Sequence, residues 1–346
     1  MDLGRIEADA AAALTAEARA YVERGAGAGD TLAANLEGWR RLQLRPHVLH
    51  DVSTITTATT VLGVPVAAPV LVAPTAQHGL VTADAECATA QAAAAADTIL
   101  VMSMASSRPW EEIASAVPNA HRWAQLYVLR DRGATRAMCE RAAACGCGAI
   151  VVSVDGAVVP YGEARRAADG IALDAGVSAL VDAFDAAVTF DDLAPLREWS
   201  GLPLVVKGVL RGDDARRCVE SGAAAIYVSN HGGRLVDGCI DTATALTDIV
   251  DTVAGDTEVY VDGGIRNGTD VVRALALGAR AVLLGRPVLW GLAIGGAAGA
   301  AAVLDAFTTD VRRTMAFCGA RSVAELDRDL SSAGEVRRRA VQVDRL

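Results

Sequence analysis

Lysine is almost missing from this chain: of its 32 basic residues, 31 are arginine and one, Lys207, is lysine. Arginine replaces lysine well on a solvated surface, but it is bulkier, planar and always charged. It fails where a compact point charge or a tunable amine is needed, which makes Lys207 a candidate for chemistry. Coding bias that spared one lysine by chance is the plain alternative. It would suit a surface helix better than the end of the apolar run Leu204-Val205-Val206-Lys207-Gly208. Clustered cations unmatched by carboxylates are lacking as well. The net charge of -10 argues against the basic surface that neutralises phosphates, so a small-molecule partner is expected and a nucleic acid is not. A disulfide framework is also absent, because Cys87, Cys139, Cys145, Cys147, Cys218, Cys239 and Cys318 are odd in number and irregularly spaced. That usage suits a reducing compartment. Cys145 and Cys147 have no second ligand pair nearby and read as helix-end packing, so no metal is expected. The start, Met1-Asp2-Leu3-Gly4-Arg5-Ile6-Glu7, carries acids and lacks the basic region and apolar core of a secretion signal. A cytoplasmic location is expected. The one membrane-like stretch, Val288 to Leu304, is rich in Gly and Ala and shorter than a usual span of about 20 residues. A buried helix fits it better, and no membrane partner is expected.

What is present is ample for a large core. The 346 residues are 52% apolar and 21% charged, which excludes disorder. Short Val/Ile/Leu-rich runs alternate with longer Ala/Arg/Glu segments of helical composition, the pattern of repeated βα units and a parallel sheet. Eight such runs occur: Val70 to Ala73, Ile99 to Met102, Trp123 to Tyr127, Ala149 to Val154, Leu204 to Val206, Ala225 to Val228, Val259 to Val261, and Ala281 to Leu284. Eight is the number that closes a (β/α)8 TIM barrel of about 250 residues. The expectation is a single domain, with residues 1–65 as an N-terminal helical extension and 66–346 as barrel and C-terminal helices. A doubly wound open sheet is the structural alternative.

Each run ends in polar or glycine residues. They are Pro74-Thr75-Ala76, Ser103, Gln125 with Tyr127, Ser153 with Asp155, Lys207, Ser229 with His231 and Arg234, Asp262-Gly263-Gly264 with Arg266, and Gly285-Arg286. In a barrel these tips converge on the one mouth where active sites are built. The last two tips look like a phosphate site: glycines let backbone N–H groups approach an anion, and Arg266 and Arg286 can fork onto its oxygens. A surface arginine before a helix is the plainer reading of Arg286, since Pro287 marks an ordinary helix start. Of five histidines, His231 alone lies in a glycine-flanked strand tip, whereas His47, His50 and His121 read as packed or solvated. Asp155 can orient the His231 ring and stabilise its imidazolium, and Arg234 can hold a substrate carboxylate. No serine or cysteine stands out as a nucleophile elbow, which leaves a hydrolase little support.

The run Ser229-Asn230-His231-Gly232-Gly233-Arg234-Leu235-Val236-Asp237-Gly238 resembles the signature of the FMN-dependent 2-hydroxy acid oxidase and dehydrogenase family. The resemblance extends over nearly the whole chain, through Tyr21 with Gly25 and Thr31-Leu32, Pro74-Thr75-Ala76, Gln125-Leu126-Tyr127, Val154-Asp155, Val206-Lys207-Gly208, Asp262-Gly263-Gly264 and Gly285-Arg286-Pro287. It implies a TIM barrel, FMN as cofactor and a homotetramer. It also implies His231 as the active-site base with Asp155 as its partner, Tyr21 and Tyr127 bonding the substrate, and Arg234 binding its acid group. Pro74, Thr75, Ala76, Ser103, Gln125 and Ser153 would line the flavin ring, with Lys207 beside N1 and C2=O and Ser229 close by. Asp262, Gly264, Arg266, Gly285 and Arg286 would hold ribityl and phosphate. No haem-binding segment precedes Tyr21, so no flavocytochrome is expected, and the electron acceptor is oxygen, a quinone or another carrier.

Departures from the family cluster near the mouth. The family places a carboxylate-clamping arginine seven residues after the strand-4 aspartate, and Gly162 stands there; Arg165 or Arg166 would need a local shift to replace it. Losing one bidentate contact inside a site weakens acid binding by roughly 2–5 kcal/mol. Ala105 replaces a bulky aromatic, Leu235 stands where glutamine is common, and the segment from Ala167 to Phe190 is shorter than the usual loop. The expected enzyme oxidises a carbon bearing OH or NH2, on a substrate bulkier than lactate and without a free carboxylate. Three alternatives remain: an ordinary (S)-2-hydroxy acid oxidase anchored by Arg234, a flavin-dependent isomerase, and a flavin-binding protein that has lost catalysis.

Overall fold

The computed structural model describes residues 1–156 and 183–331; Gly162, Arg165, Arg166 and part of the shortened loop lie outside the described residues. The eight apolar runs form a closed barrel of parallel strands, with each strand beside its sequence neighbours. The strands are β3 (Val70–Val72), β4 (Leu100–Met102), β5 (Arg122–Leu126), β6 (Ile150–Ser153), β7 (Leu204–Val209), β8 (Ala225–Val228), β9 (Glu258–Val261) and β10 (Ala281–Leu284), and β10 pairs with β3 to close the ring. Both faces of each strand are buried, which is why they read as continuous apolar runs. Alternate residues divide between two cores. Val70, Val72, Ile150, Val152, Leu204 and Val206 face the surrounding helices, while Leu71, Val101, Trp123, Val151, Val205, Tyr227, Tyr260 and Leu283 fill the barrel.

That period of two aims the site. Continuing each inward row by one more step beyond the apolar layer reaches Ser103, Gln125, Ser153, Lys207, Ser229, Asp262 and Gly285. Strand β7 runs further than its sequence suggests. The apolar run stops at Lys207, but pairing with β8 resumes at Val209 across a bulge at Gly208, whose φ is 105°. A Cβ there would stand 2.5 Å from the Asp155 side chain, so glycine is required for Asp155 to lie beside β7.

Before the barrel come α1 (Ile6–Ala13), α2 (Ala16–Glu23), α3 (Asp30–Arg41) and an antiparallel hairpin, β1 (Thr59–Val61) with β2 (Val64–Val66). Val61 and Val66 pack onto the barrel's inner residues, and the Leu62 N–H donates to Glu258 at the start of β9 (3.0 Å), so the hairpin plugs the N-terminal end. The helices dock at the opposite end. Asp237 accepts the N–H groups of Ala28, Gly29 and Thr31, Asn35 and Asn230 exchange side-chain bonds of 2.9 and 2.8 Å, and Trp39 Nε1 donates to the Gly263 carbonyl. These bonds carry Tyr21 on α2 to the mouth. The membrane-like stretch lies in a helix over Arg286–Cys318, kinked at Gly295 and Gly296, with Val288 to Leu292, Val303, Leu304 and Phe307 buried in the fold.

Candidate active site

At the mouth one cavity is lined by Tyr21, Pro74, Thr75, Ala76, Ser103, Gln125, Tyr127, Ser153, Lys207, His231, Arg234, Asp262, Gly264, Arg266, Gly285 and Arg286. Two residues expected at the site stand one layer behind its wall. Asp155 lies behind His231, and the Ser229 hydroxyl accepts the His231 N–H at 3.1 Å. Ala105 lines the cavity, whereas Leu235 is half-buried outside its wall, so the two departures are not equivalent.

His231 sits in the left-handed region, with φ at 59°, followed by Gly232 and Gly233, also at positive φ. A non-glycine residue held there costs about 1–3 kcal/mol and persists where its surroundings over-determine it. Here those surroundings are polar: Nδ1 lies 3.0 Å from Asp155 Oδ2 and 3.4 Å from Lys207 Nζ, while Nε2 lies 3.5 Å from the Tyr127 hydroxyl. The Asp155 carboxylate draws the ring proton to Nδ1 and leaves Nε2 as a lone pair facing the cavity. Burial would raise the Asp155 carboxyl, but the Lys207 ammonium 3.7 Å away and His231 hold it down at about 2. Tyr127 is pushed the other way, chiefly by burial and then by Asp155, so its phenol stays protonated and can donate. Its ring stacks on Phe184 with centroids 4.2 Å apart, a partner that nothing in the sequence singles out.

The far end of the cavity is cationic. Arg234, Arg266 and Arg286 are all half-buried there and are held by carbonyl oxygens: Tyr21 O for Arg234 (2.8 Å), Ile265 O for Arg266 (3.0 Å), and Val22, Gly232 and Arg24 for Arg286 (2.9, 3.0 and 2.8 Å). Burial, then Arg234 and Arg266, push Arg286 down to about 9. Such a cluster favours an anion. Arg266 Nε and Asp262 Oδ1 are buried without partners, and Asp262 Oδ2 is taken by the Tyr227 hydroxyl. At the ring end, Gln125 accepts from the Met104 N–H and donates to Ser153, which fixes an amide edge. An acceptor, a donor-rich anion site and an oriented amide in sequence fit a flat heteroaromatic ring carrying a hydroxylated chain and a phosphate. FMN has that form, and these residues would hold it.

Sequence reasoning overlooked the support behind Pro74-Thr75-Ala76. His78, 1% exposed, bonds Thr75 Oγ1 at 2.6 Å through Nε2 and Thr89 Oγ1 at 2.7 Å through Nδ1, and burial lowers its pKa, keeping it neutral. Buried Glu86 accepts N–H groups from His78, Ser107 and Arg108 (3.1, 2.9 and 3.1 Å), tying the loops after β3 and β4 together. The signal is invisible in sequence because two of its donors come from a distant loop. Glu86→Gln turns an acceptor into a donor facing an N–H, and it should destabilise the fold by roughly 2–4 kcal/mol. Urea unfolding reads this, and an unchanged midpoint would show that the carboxylate is not needed.

Comparison with known proteins agrees with this geometry. The pattern of the family described as FMN-dependent dehydrogenase matches residues 10–333. An L-lactate oxidase from Nostoc sp. is 44% identical over 89% of this chain and 91% of its own. Human 2-hydroxyacid oxidase 1 is 37% identical over 90% of each. A solved arginine-to-leucine variant of a mandelate oxidase with 2-hydroxy-phenylacetamide superposes with a TM-score of 0.87 at 39% identity, covering 94% of this chain and 96% of that one. A further mandelate oxidase variant, with a TM-score of 0.86 at 38% identity over 93% and 97%, carries an FMN adduct. The chain is an FMN-dependent enzyme and belongs to the 2-hydroxyacid oxidase family.

Proposed function

We propose that this enzyme oxidises a carbon bearing OH, or NH2, next to a carbonyl, and that its substrate is bulkier than lactate and lacks a free carboxylate. An amide or an ester of a 2-hydroxy acid has that form. The observation that carries the chemistry is the Tyr127–His231–Asp155 line, with the Nε2 lone pair facing the cavity. Oxidation removes two electrons and two protons from the substrate. His231 Nε2 takes one proton, from the hydroxyl or from the C–H, and Asp155 stabilises the resulting imidazolium. When bound, FMN would supply the acceptor for the electron pair and for the second proton. Tyr127 and Tyr21 orient the substrate oxygen, and the Tyr21 hydroxyl itself donates to the Ala76 carbonyl at 3.2 Å.

Two features support an uncharged substrate. The position at which the family's second clamp is expected holds Gly162, and Arg234 already donates to the Tyr21 carbonyl. Ala105 leaves room at the cavity wall for a larger group. A mandelate oxidase variant with one arginine replaced by leucine is seen with 2-hydroxy-phenylacetamide, an uncharged amide. The reading in which Arg234 anchors an ordinary (S)-2-hydroxy acid keeps one observation in its favour, since Arg234 lines the cavity.

Anaerobic bleaching of the flavin separates the two. Aromatic 2-hydroxy amides or esters are expected to reduce the enzyme faster than glycolate or lactate, and arginine introduced at Gly162 should gain them little. Rapid reduction by the small free acids, at rates normal for the family, favours the Arg234-anchored reading instead.

A further inference from the structure

Tyr227 belongs to the barrel's apolar inner layer by pattern, in the run Ala225-Ile226-Tyr227-Val228, and it is 0% exposed. Its phenol does something an aliphatic residue cannot. On β8, between Lys207 of β7 and Tyr260 of β9, it rises one layer beneath the cavity floor and donates to Asp262 Oδ2 at 2.8 Å. The other Asp262 oxygen stays buried without a partner, and Asp262 lines the cavity. On the opposite side, Lys207 Nζ lies 5.5 Å from the centroid of the same ring, within reach of a cation–π attraction. Lys207 in turn touches Asp155 and His231. Tyr227 is therefore the member that joins the proton-transfer end of the mouth to its chain-binding end. Burial raises its pKa well above the ordinary value, so the phenol remains a donor at every working pH.

We propose that Tyr227 is a positioning residue for the cofactor: its hydroxyl fixes Asp262 with one carboxylate oxygen left for a hydroxyl of the FMN ribityl chain, and its ring backs the Lys207 ammonium. The inference rests on the assignment of FMN to this cavity. Without the phenol, Asp262 Oδ2 loses its partner as well, so neither carboxylate oxygen is held by the protein and the group is free to turn from the cavity. Without the ring, Lys207 loses the surface on which it stands.

The test reads how fast FMN leaves the holoenzyme on dilution, from the fluorescence of released flavin. Y227F keeps the ring and removes the hydroxyl; it should release FMN roughly ten- to a hundred-fold faster, with the midpoint potential of the bound flavin unchanged. D262N should also accelerate release, and the Y227F/D262N pair should be no faster than D262N alone, because the two act through one contact. Release from Y227F within about two-fold of wild type, or effects that multiply in the double variant, would overturn the hydroxyl's role. A shifted potential in Y227F would overturn the division between hydroxyl and ring. Wild-type protein that holds no FMN at all would instead overturn the cofactor assignment, so the two failures are distinguishable.

Discussion

His231→Asn is expected to slow anaerobic flavin reduction by roughly a hundred- to ten-thousand-fold, the range for loss of a positioned general base, while leaving FMN bound. Asparagine is chosen because it tolerates the left-handed backbone at this position better than most residues do. The φ of 59° then stays satisfied, and the loss reads as loss of Nε2 rather than as a rearranged loop. The flavin's visible spectrum should be close to that of wild type, since the tips of the other strands, which would hold FMN, are untouched. Stopped-flow reduction with an excess of substrate measures the effect. A rate within about ten-fold of wild type would remove His231 from the role of base.

Lys207→Arg should harm flavin retention or reduction although it preserves the charge. Lys207 is 3% exposed, and its ammonium fits among Asp155 Oδ2 at 3.7 Å, His231 Nδ1 at 3.4 Å and the Tyr227 ring at 5.5 Å. A planar guanidinium is too broad for a point enclosed on three sides, and it would spread the charge that, by the family resemblance, would face the reduced flavin. Unchanged FMN release together with unchanged turnover would refute this role. Lys207→Met separates size from charge. In wild type the Asp155 pKa is held at about 2, below its unfolded value, so its contribution to stability is present above the ordinary carboxylate range and is lost as pH falls through about 2. The methionine variant removes the chief cause of that depression, so its acid limb of unfolding should begin at higher pH; the arginine variant should keep the limb near that of wild type.

Much of this site is legible because a buried strand obeys a strict period of two. Once Trp123, Val205 and Tyr260 are read as inward, Gln125, Lys207 and Asp262 follow as the polar layer above them. Boundaries are less legible: Gly208 reads as the end of a strand, yet it is a bulge inside one, kept open for Asp155. Tyr227 escapes notice because an aromatic between isoleucine and valine satisfies the core pattern completely, and its partner is contributed by the next strand. His78 and Glu86 are hidden for a related reason, since their bonds join loops that the sequence keeps apart.

The three half-buried arginines have a mechanical consequence. Arg234 and Arg286 reach back to the carbonyls of Tyr21, Val22 and Arg24, so the guanidiniums that favour an anion also fasten the chain's first helices over the barrel. Burial, then Arg234 and Arg266, lower the Arg286 pKa, so a negative charge beside them would be welcome. An anion bound there would therefore favour the fastened roof, and the fastened roof would favour the anion, by the same factor. A phosphate held by these guanidiniums would act as the bolt that keeps Tyr21 at the mouth.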